Sequence, residues 1–140
     1  MIFYVDTSTL LKLVVEETGS DRAVEIWSRA ERLASVSLIA VEAVAALASA
    51  ARGGRLTASQ LRGARAEVEQ LLSELHIVEV TADLVAAASD LAEAEGLRGY
   101  DAVHLAAAEF VGAAVLTSAD ADLCSAAERR GFHVANPLEA

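Results

Sequence analysis

Apolar residues are grouped along this chain in two different ways. Short runs without alternation, such as Ile2–Val5 and residues 113–117, are typical of strands that are buried on both faces of a parallel sheet. Elsewhere apolar residues recur every three or four positions, as at Leu61, Ala64 and Val68, which predicts amphipathic helices. Because the two patterns alternate, the sequence predicts an α/β fold, a three-layer α/β/α sandwich with a central, mostly parallel sheet.

Polar residues and glycines mark the predicted helix ends. Thr7 or Ser8 can cap a first helix through Lys12 and Leu13, and Ser20 can cap the second. Thr57 and Gln60 match a capping box, in which each side chain satisfies the other residue's backbone N–H. The predicted strands are residues 2–5, 33–37, 77–80, 113–117 and 132–134. The predicted helices are residues 7–13, 21–31, 38–52, a segment from Thr57 to Leu75, 81–94, 101–112 and 120–130.

The composition is that of an ordinary globular domain. The 140 residues are 54% hydrophobic, enough for a substantial core, and we expect one domain over residues 1–140. Charged residues interrupt every apolar stretch, so we expect neither a membrane span nor a signal peptide. The single cysteine, Cys124, excludes an internal disulfide and favours a reducing compartment, so we expect a cytoplasmic protein.

The formal net charge of −10 limits the functions that the chain can have. Proteins that grip nucleic acid through its phosphates usually have a basic surface, so the charge argues against a non-enzymatic DNA- or RNA-binding module. It does not argue against a nuclease that holds phosphate through metal ions bound by its own carboxylates.

Four acidic residues are candidates for such a site: Asp6, Glu42, Asp101 and Asp120. Asp6 ends the first predicted strand, Asp120 follows a later strand, and Asp101 starts a helix after a loop. Glu42 lies among Ala, Val, Ile and Leu on all sides of its helix, so a solvent-facing position would expose apolar neighbours. Clustered carboxylates repel one another unless a cation neutralises them, and oxygen ligands favour Mg²⁺ or Mn²⁺ over zinc. The expected chemistry is metal-assisted phosphodiester hydrolysis.

Structural roles remain open for several of these residues. Asp101 and Asp120 stand where aspartate often caps a helix, Asp6 can be a turn residue or a cap, and Glu42 can be a surface glutamate. Asp122 is an optional outer ligand of the same site.

Each neighbouring side chain also has two possible roles, one in the site and one in the structure. Ser8 is either a hydrogen-bond donor behind Asp6 or a helix cap, and His104 is interpreted as a packed core residue in preference to a base. Lys12 and Arg98 are interpreted as solvated surface charges in preference to phosphate contacts. Tyr100 is interpreted as a packing residue that can alternatively stack on a base.

The same residues resemble the PIN domain family, and within it the VapC toxins of bacterial toxin–antitoxin pairs. The resemblance spans nearly the whole chain and is carried by four motifs in order. They are Tyr4-Val5-Asp6-Thr7-Ser8, Ser37-Leu38-Ile39-Ala40-Val41-Glu42, Tyr100-Asp101-Ala102-Val103-His104-Leu105-Ala106 and Ser118-Ala119-Asp120.

The resemblance implies a PIN fold and an endoribonuclease that depends on Mg²⁺ or Mn²⁺. It also implies homodimerisation and inhibition by a small VapB-type antitoxin. It makes Asp6, Glu42, Asp101 and Asp120 the acidic metal site and Ser118 the hydroxyl residue beside it, with Thr117 as the alternative for that hydroxyl. The competing hypothesis is a catalytically silent PIN-like module that acts only by binding protein. A phosphoacceptor receiver domain is disfavoured, since it needs a lysine after its last core strand and the only lysine is at position 12.

Overall fold

The computed structural model describes residues 1–139, and within them five strands form one sheet that seven helices cover. The strands are β1 (Ile2–Val5), β2 (Arg32–Val36), β3 (His76–Val78), β4 (Val115–Thr117) and β5 (His133–Ala135). The helices are α1 (Thr7–Val14), α2 (Ser20–Arg29), α3 (Leu38–Arg52), α4 (Ala58–Leu72), α5 (Ala82–Glu95), α6 (Gly99–Phe110) and α7 (Ala121–Arg129).

The sheet order is β3-β2-β1-β4-β5, and every neighbouring pair is parallel. The predicted α/β sandwich is therefore confirmed. β1 is the central strand, with Phe3 opposite Leu33 of β2 and Val115 of β4. Because all strands run the same way, the residues that follow β1, β2 and β4 meet at one edge of the sheet.

The core has two parts, one on each face of the sheet. Consecutive strand residues point to opposite faces, and Tyr4 and Val5 of β1 illustrate this, since each is fully buried in a different cluster. Tyr4 packs with residues of α5, α6 and α7, among them Leu105. Val5 packs with residues of α1, α3 and α4, among them Leu10 and Ile39. Because both faces of β1 are buried, its sequence is an unbroken apolar run and does not alternate with polar residues.

Several helix ends form as the sequence predicts. The capping box is complete, with Gln60 N–H donating to Thr57 Oγ1 at 3.1 Å and Thr57 N–H donating to Gln60 Oε1 at 2.8 Å. Thr81 Oγ1 accepts from Leu84 N–H at the start of α5. Gly96 ends that helix with a φ of +64°, a backbone conformation that glycine adopts without a steric penalty.

Other predicted ends were wrong. Asp6 occupies the cap position of α1, and neither Thr7 nor Ser8 caps it. Ser20 lies inside α2, after Gly19 with a φ of +92°, and its hydroxyl accepts from Glu17 N–H. Helix α6 begins two residues earlier than predicted, at Gly99.

The helices in the described part of the chain are all too short or too polar to traverse a lipid bilayer.

Candidate active site

The four candidate acids lie at the edge of the sheet where the strands end. Asp6 directly follows β1, and its backbone N–H donates to the carbonyl of Thr117, the last residue of β4, at 3.0 Å. Asp120 comes three residues after that strand, and Asp101 and Glu42 lie near the starts of α6 and α3. Strand ends and helix starts therefore bring carboxylates from four distant parts of the sequence to one place.

Asp6 is the most deeply buried of the four acids, with 6% of its surface exposed. Its Oδ2 accepts hydrogen bonds from Ser8 Oγ and Ser118 Oγ, both at 2.7 Å. Its Oδ1 lies 3.4 Å from His104 Nε2. Both hydroxyls are held in turn, since Ala119 N–H donates to Ser8 and Asp120 N–H donates to Ser118. The orientation of the Asp6 carboxylate is therefore set by a network that includes the loop after β4.

Glu42 points into the protein, as its apolar surroundings predict. Its Oε1 accepts from His104 Nε2 at 2.7 Å and from Thr7 Oγ1 at 3.0 Å. His104 is fully buried, and its other ring nitrogen, Nδ1, lies 2.8 Å from the Tyr4 hydroxyl. A neutral His104 that accepts from Tyr4 carries its proton on Nε2, and a protonated His104 carries one there too. In both states Nε2–H donates to Glu42.

The ionisation of His104 and Tyr4 follows from this arrangement. Burial opposes protonation of His104, but the hydrogen bond to Glu42 and the negative charge of Asp6 outweigh it and raise the pKa of the imidazole. Burial, and then the charges of Asp6 and Glu42, raise the pKa of Tyr4 well above its ordinary value. Tyr4 therefore stays a neutral phenol whose hydroxyl is hydrogen-bonded to His104 Nδ1.

Asp101 and Asp120 form the solvent-facing side of the site and share one arginine. Arg98 Nη2 lies 3.3 Å from Asp101 Oδ2 and 3.2 Å from Asp120 Oδ2. Asp120 Oδ1 also accepts from Leu123 N–H, so Asp120 caps α7 as well. Desolvation, together with the charges of Asp120 and Asp6, raises the pKa of Asp101 despite the nearby arginine. The two sides of the site therefore interact through space.

The donor set suits a hard divalent cation, because carboxylate oxygens are the ligands that Mg²⁺ and Mn²⁺ prefer. No group of three histidine, cysteine, aspartate or glutamate side chains within residues 1–139 is arranged as a ready metal site. Each of the four carboxylates instead holds a protein donor. Glu42 Oε2 and Asp101 Oδ1 accept no hydrogen bond from the described residues. The residues therefore fit a divalent cation by the chemistry of their donor atoms.

The remaining candidates lie as follows. Ser118, and not Thr117, is the hydroxyl beside Asp6, because Thr117 Oγ1 pairs with Thr9 Oγ1 at 3.0 Å. Asp122 is exposed in the first turn of α7, where its charge contributes to raising the pKa of Arg98 after the larger effects of Asp101 and Asp120.

Two interpretations from the sequence were wrong. Lys12 is buried, with Nζ donating to Glu17 Oε1 at 3.0 Å and to the Thr18 carbonyl at 2.8 Å, so it is neither a surface charge nor a free phosphate contact. Tyr100 is 65% exposed and is not a core packing residue.

Sequence reasoning missed the hydrogen-bonding role of Thr7 and Tyr4. The sequence indicates only a capping role for Thr7, whereas its hydroxyl donates to Glu42. Tyr4 belongs to an apolar strand, and its partner His104 is 100 residues away in the sequence. The available signal was that Tyr4 and His104 are the polar members of two otherwise apolar segments. Buried polar groups need hydrogen-bond partners, so these two could be expected to pair.

A family model described as PIN domain matches residues 3–129. A curated relative, Ribonuclease VapC45 of Mycobacterium tuberculosis, is 42% identical over 111 residues, which cover 79% of this chain and 77% of the relative. The crystal structure of PAE2754 from Pyrobaculum aerophilum is similar, with a TM-score of 0.72 and 28% identity over 96% of this chain and 83% of that one.

A toxin–antitoxin complex from Klebsiella pneumoniae contains a chain of similar fold. Its TM-score is 0.68 at 20% identity, and the match covers 98% of each chain. At that identity the likeness concerns the fold.

Proposed function

Since the chain belongs to the PIN domain family, we propose that it is a metal-dependent endoribonuclease and the toxin of a toxin–antitoxin pair. The observation that carries the proposal is the meeting of Asp6, Glu42, Asp101 and Asp120 at the carboxyl edge of the sheet. The name of the ribonuclease relative supports RNA as the substrate.

The four carboxylates would hold Mg²⁺ or Mn²⁺, with Asp122 as an outer ligand. A bound divalent ion supplies Lewis acidity to a phosphodiester and lowers the pKa of water. The protein's own side chains prepare the ligands for it. Ser8 and Ser118 occupy Asp6 Oδ2, which leaves Oδ1 with only the long contact to His104.

Glu42 is prepared in the same way. His104 and Thr7 both donate to Oε1, so the other oxygen is left for a ligand. The proton on His104 Nε2 stays on the side of Glu42 because Tyr4 occupies the opposite ring nitrogen. Packing behind these residues excludes water from the floor of the site, where His104 and Tyr4 have no exposed surface. Preorganised ligands cost less reorganisation during the reaction.

The partners belong to the same proposal. Solved structures of similar fold include a toxin–antitoxin complex, which supports a small VapB-type antitoxin as the inhibitor. We propose that the protein is a homodimer in the cytoplasm, the compartment that contains its RNA substrate. Light scattering of the purified chain tests the homodimer. Copurification with an antitoxin encoded beside it tests the toxin–antitoxin complex.

Cleavage of total cellular RNA tests the activity. The purified chain is incubated with Mg²⁺, with Mn²⁺ or with EDTA, and Asp6→Asn serves as the matched variant because it keeps the side chain's size while removing its charge. We expect discrete fragments that disappear with EDTA and with the variant. Absence of cleavage with every metal, from a folded protein that still binds its antitoxin, would favour the silent binding module instead.

A further inference from the structure

Arg98 is the one cation that the described residues place on the acidic site's solvent side. It precedes α6, and its side chain reaches over the start of that helix and across to the loop before α7. Nη2 contacts Asp101 and Asp120 together, while Nε lies 3.4 Å from Asp101 Oδ2. The guanidinium therefore joins two carboxylates that are 19 positions apart in the sequence.

This contact differs from the hydrogen bonds on the inner side of the site. Asp6 and Glu42 are bonded to buried or half-buried neutral hydroxyls and to a fully buried histidine. Arg98 has 78% of its side chain exposed, and within residues 1–139 its only side-chain partners are the two aspartates. An exposed arginine on a long flexible side chain can leave its partners at little cost. The inner side is fixed, whereas the outer side is closed by a group that can move away.

A divalent ion bound by both aspartates would meet the guanidinium at Asp120, and only Oδ1 of Asp101 is left without a contact from the described residues. The guanidinium occupies Oδ2 of both Asp101 and Asp120, and Leu123 N–H occupies the second oxygen of Asp120. Both oxygens of Asp120 therefore already accept a hydrogen bond while Arg98 is in place. A cation on this pair would therefore share Asp120 Oδ2 with the guanidinium or lie close to its positive charge, and both arrangements are unfavourable.

From this geometry we propose that Arg98 is a built-in competitor of the divalent ion for Asp101 and Asp120. It sets how tightly the site binds the ion, and it neutralises the pair when no ion is present. The inference rests on the proposed metal-dependent function and adds a regulating residue to it. Removing the positive charge should strengthen ion binding, whereas removing an arginine that holds a distant carboxylate should not.

Calorimetric titration of Mn²⁺ into the metal-free full-length protein tests this directly. The variants are Arg98→Gln, which removes the charge, and Arg98→Lys, which keeps it. Arg129→Gln is the matched control. Arg129 is also exposed, and its Nε lies 2.7 Å from Glu95 Oε1, in an ion pair that is remote from the acidic site. Two screened contacts are lost in Arg98→Gln, so we expect Mn²⁺ to bind about threefold to tenfold more tightly than in wild type. Arg98→Lys and Arg129→Gln should stay within about twofold of wild type.

Asp6→Asn separates failure of this inference from failure of the proposed function. If wild type binds Mn²⁺, Asp6→Asn does not, and Arg98→Gln binds as wild type does, the competition is refuted while the metal site stands. Equal tightening in Arg129→Gln would also refute it, because net charge alone would then explain the gain. If neither wild type nor Arg98→Gln binds Mn²⁺, both the competition and the proposed metal use are overturned. Circular dichroism of each variant verifies that it is folded.

Discussion

Replacing Asp101 with asparagine should stabilise the metal-free protein, although it removes a proposed metal ligand. Asp101 is largely buried, with 14% of its side chain exposed, and it faces the charges of Asp120 and Asp6. The amide keeps the shape of the side chain and can still accept from Arg98. The variant therefore removes the repulsion while leaving the packing unchanged.

The size of the effect follows from distances in the site. Asp101 Oδ2 and Asp120 Oδ2 both lie within 3.3 Å of the same Arg98 nitrogen. They are therefore less than about 7 Å apart, and at an effective dielectric constant near 20 two such charges repel by at least about 2 kcal/mol. The weaker attraction to Arg98 offsets part of this gain. A net gain of about 1 kcal/mol in unfolding free energy raises the melting temperature of a chain of this size by about 3 to 5 °C.

Thermal unfolding followed by circular dichroism, in EDTA at low ionic strength and neutral pH, measures the difference. Asp90→Asn is the matched control, because Asp90 is exposed on α5 away from the site. Saturating Mn²⁺ should reverse the order, since wild type gains binding energy that the variant partly loses.

The pH dependence has a defined sign. The pKa of Asp101 is raised in the folded state, so the fold binds this proton more tightly than the unfolded chain does. The penalty is present above the raised pKa and disappears as the pH falls below the ordinary carboxyl range. The advantage of Asp101→Asn should therefore be largest near neutral pH and shrink on acidification. A folded variant that melts below wild type in EDTA at neutral pH would refute the reasoning, because the contact with Arg98 would then outweigh the repulsion.

Three further results are expected. His104→Gln retains an amide N–H near the position of Nε2, whereas the shorter amide of His104→Asn cannot reach Glu42. The glutamine variant should therefore bind Mn²⁺ about tenfold more tightly than the asparagine variant. Equal affinities of the two variants would contradict a role of His104 in positioning Glu42. Thr57→Ala should lower the unfolding free energy in urea by about 1 kcal/mol through loss of the capping box. Ser59→Ala, at an exposed position two residues further on in the first turn of α4, should change it far less. Burial raises the pKa of the Cys124 thiol to about 11, so iodoacetamide at pH 8 should modify it only after unfolding, and rapid alkylation of the native protein would show that the thiol is accessible.

The sheet and the positions of its acids could be predicted because local sequence determines them. An apolar run without alternation predicts a doubly buried strand, and the residue after such a strand in a parallel sheet stands at its carboxyl edge. Asp6 therefore follows from Ile2–Val5 alone. Glu42 could be placed because its helix offers no polar face on which a carboxylate could lie.

Lys12, Thr7 and the contact of Arg98 with Asp120 could not be placed in this way, because the partners lie outside the elements concerned. Lys12 is enclosed by the loop of Glu17 and Thr18, which folds back onto α1 just before Gly19. Thr7 meets a glutamate 35 residues away, and Arg98 meets Asp120 across the gap between two helices. Contacts of this kind depend on how elements pack, and no periodicity in the sequence encodes them.

The central position of β1 has a consequence for when the acidic site can assemble during synthesis of the chain. The first strand to be synthesised is completed on one side by β4, which is among the last. Ser118 and Asp120, which orient and accompany Asp6, follow that late strand. A nascent chain still attached to the ribosome, or one released early, therefore has no assembled site. The acidic site can therefore assemble only after the chain has been synthesised through Asp120, which is most of its length.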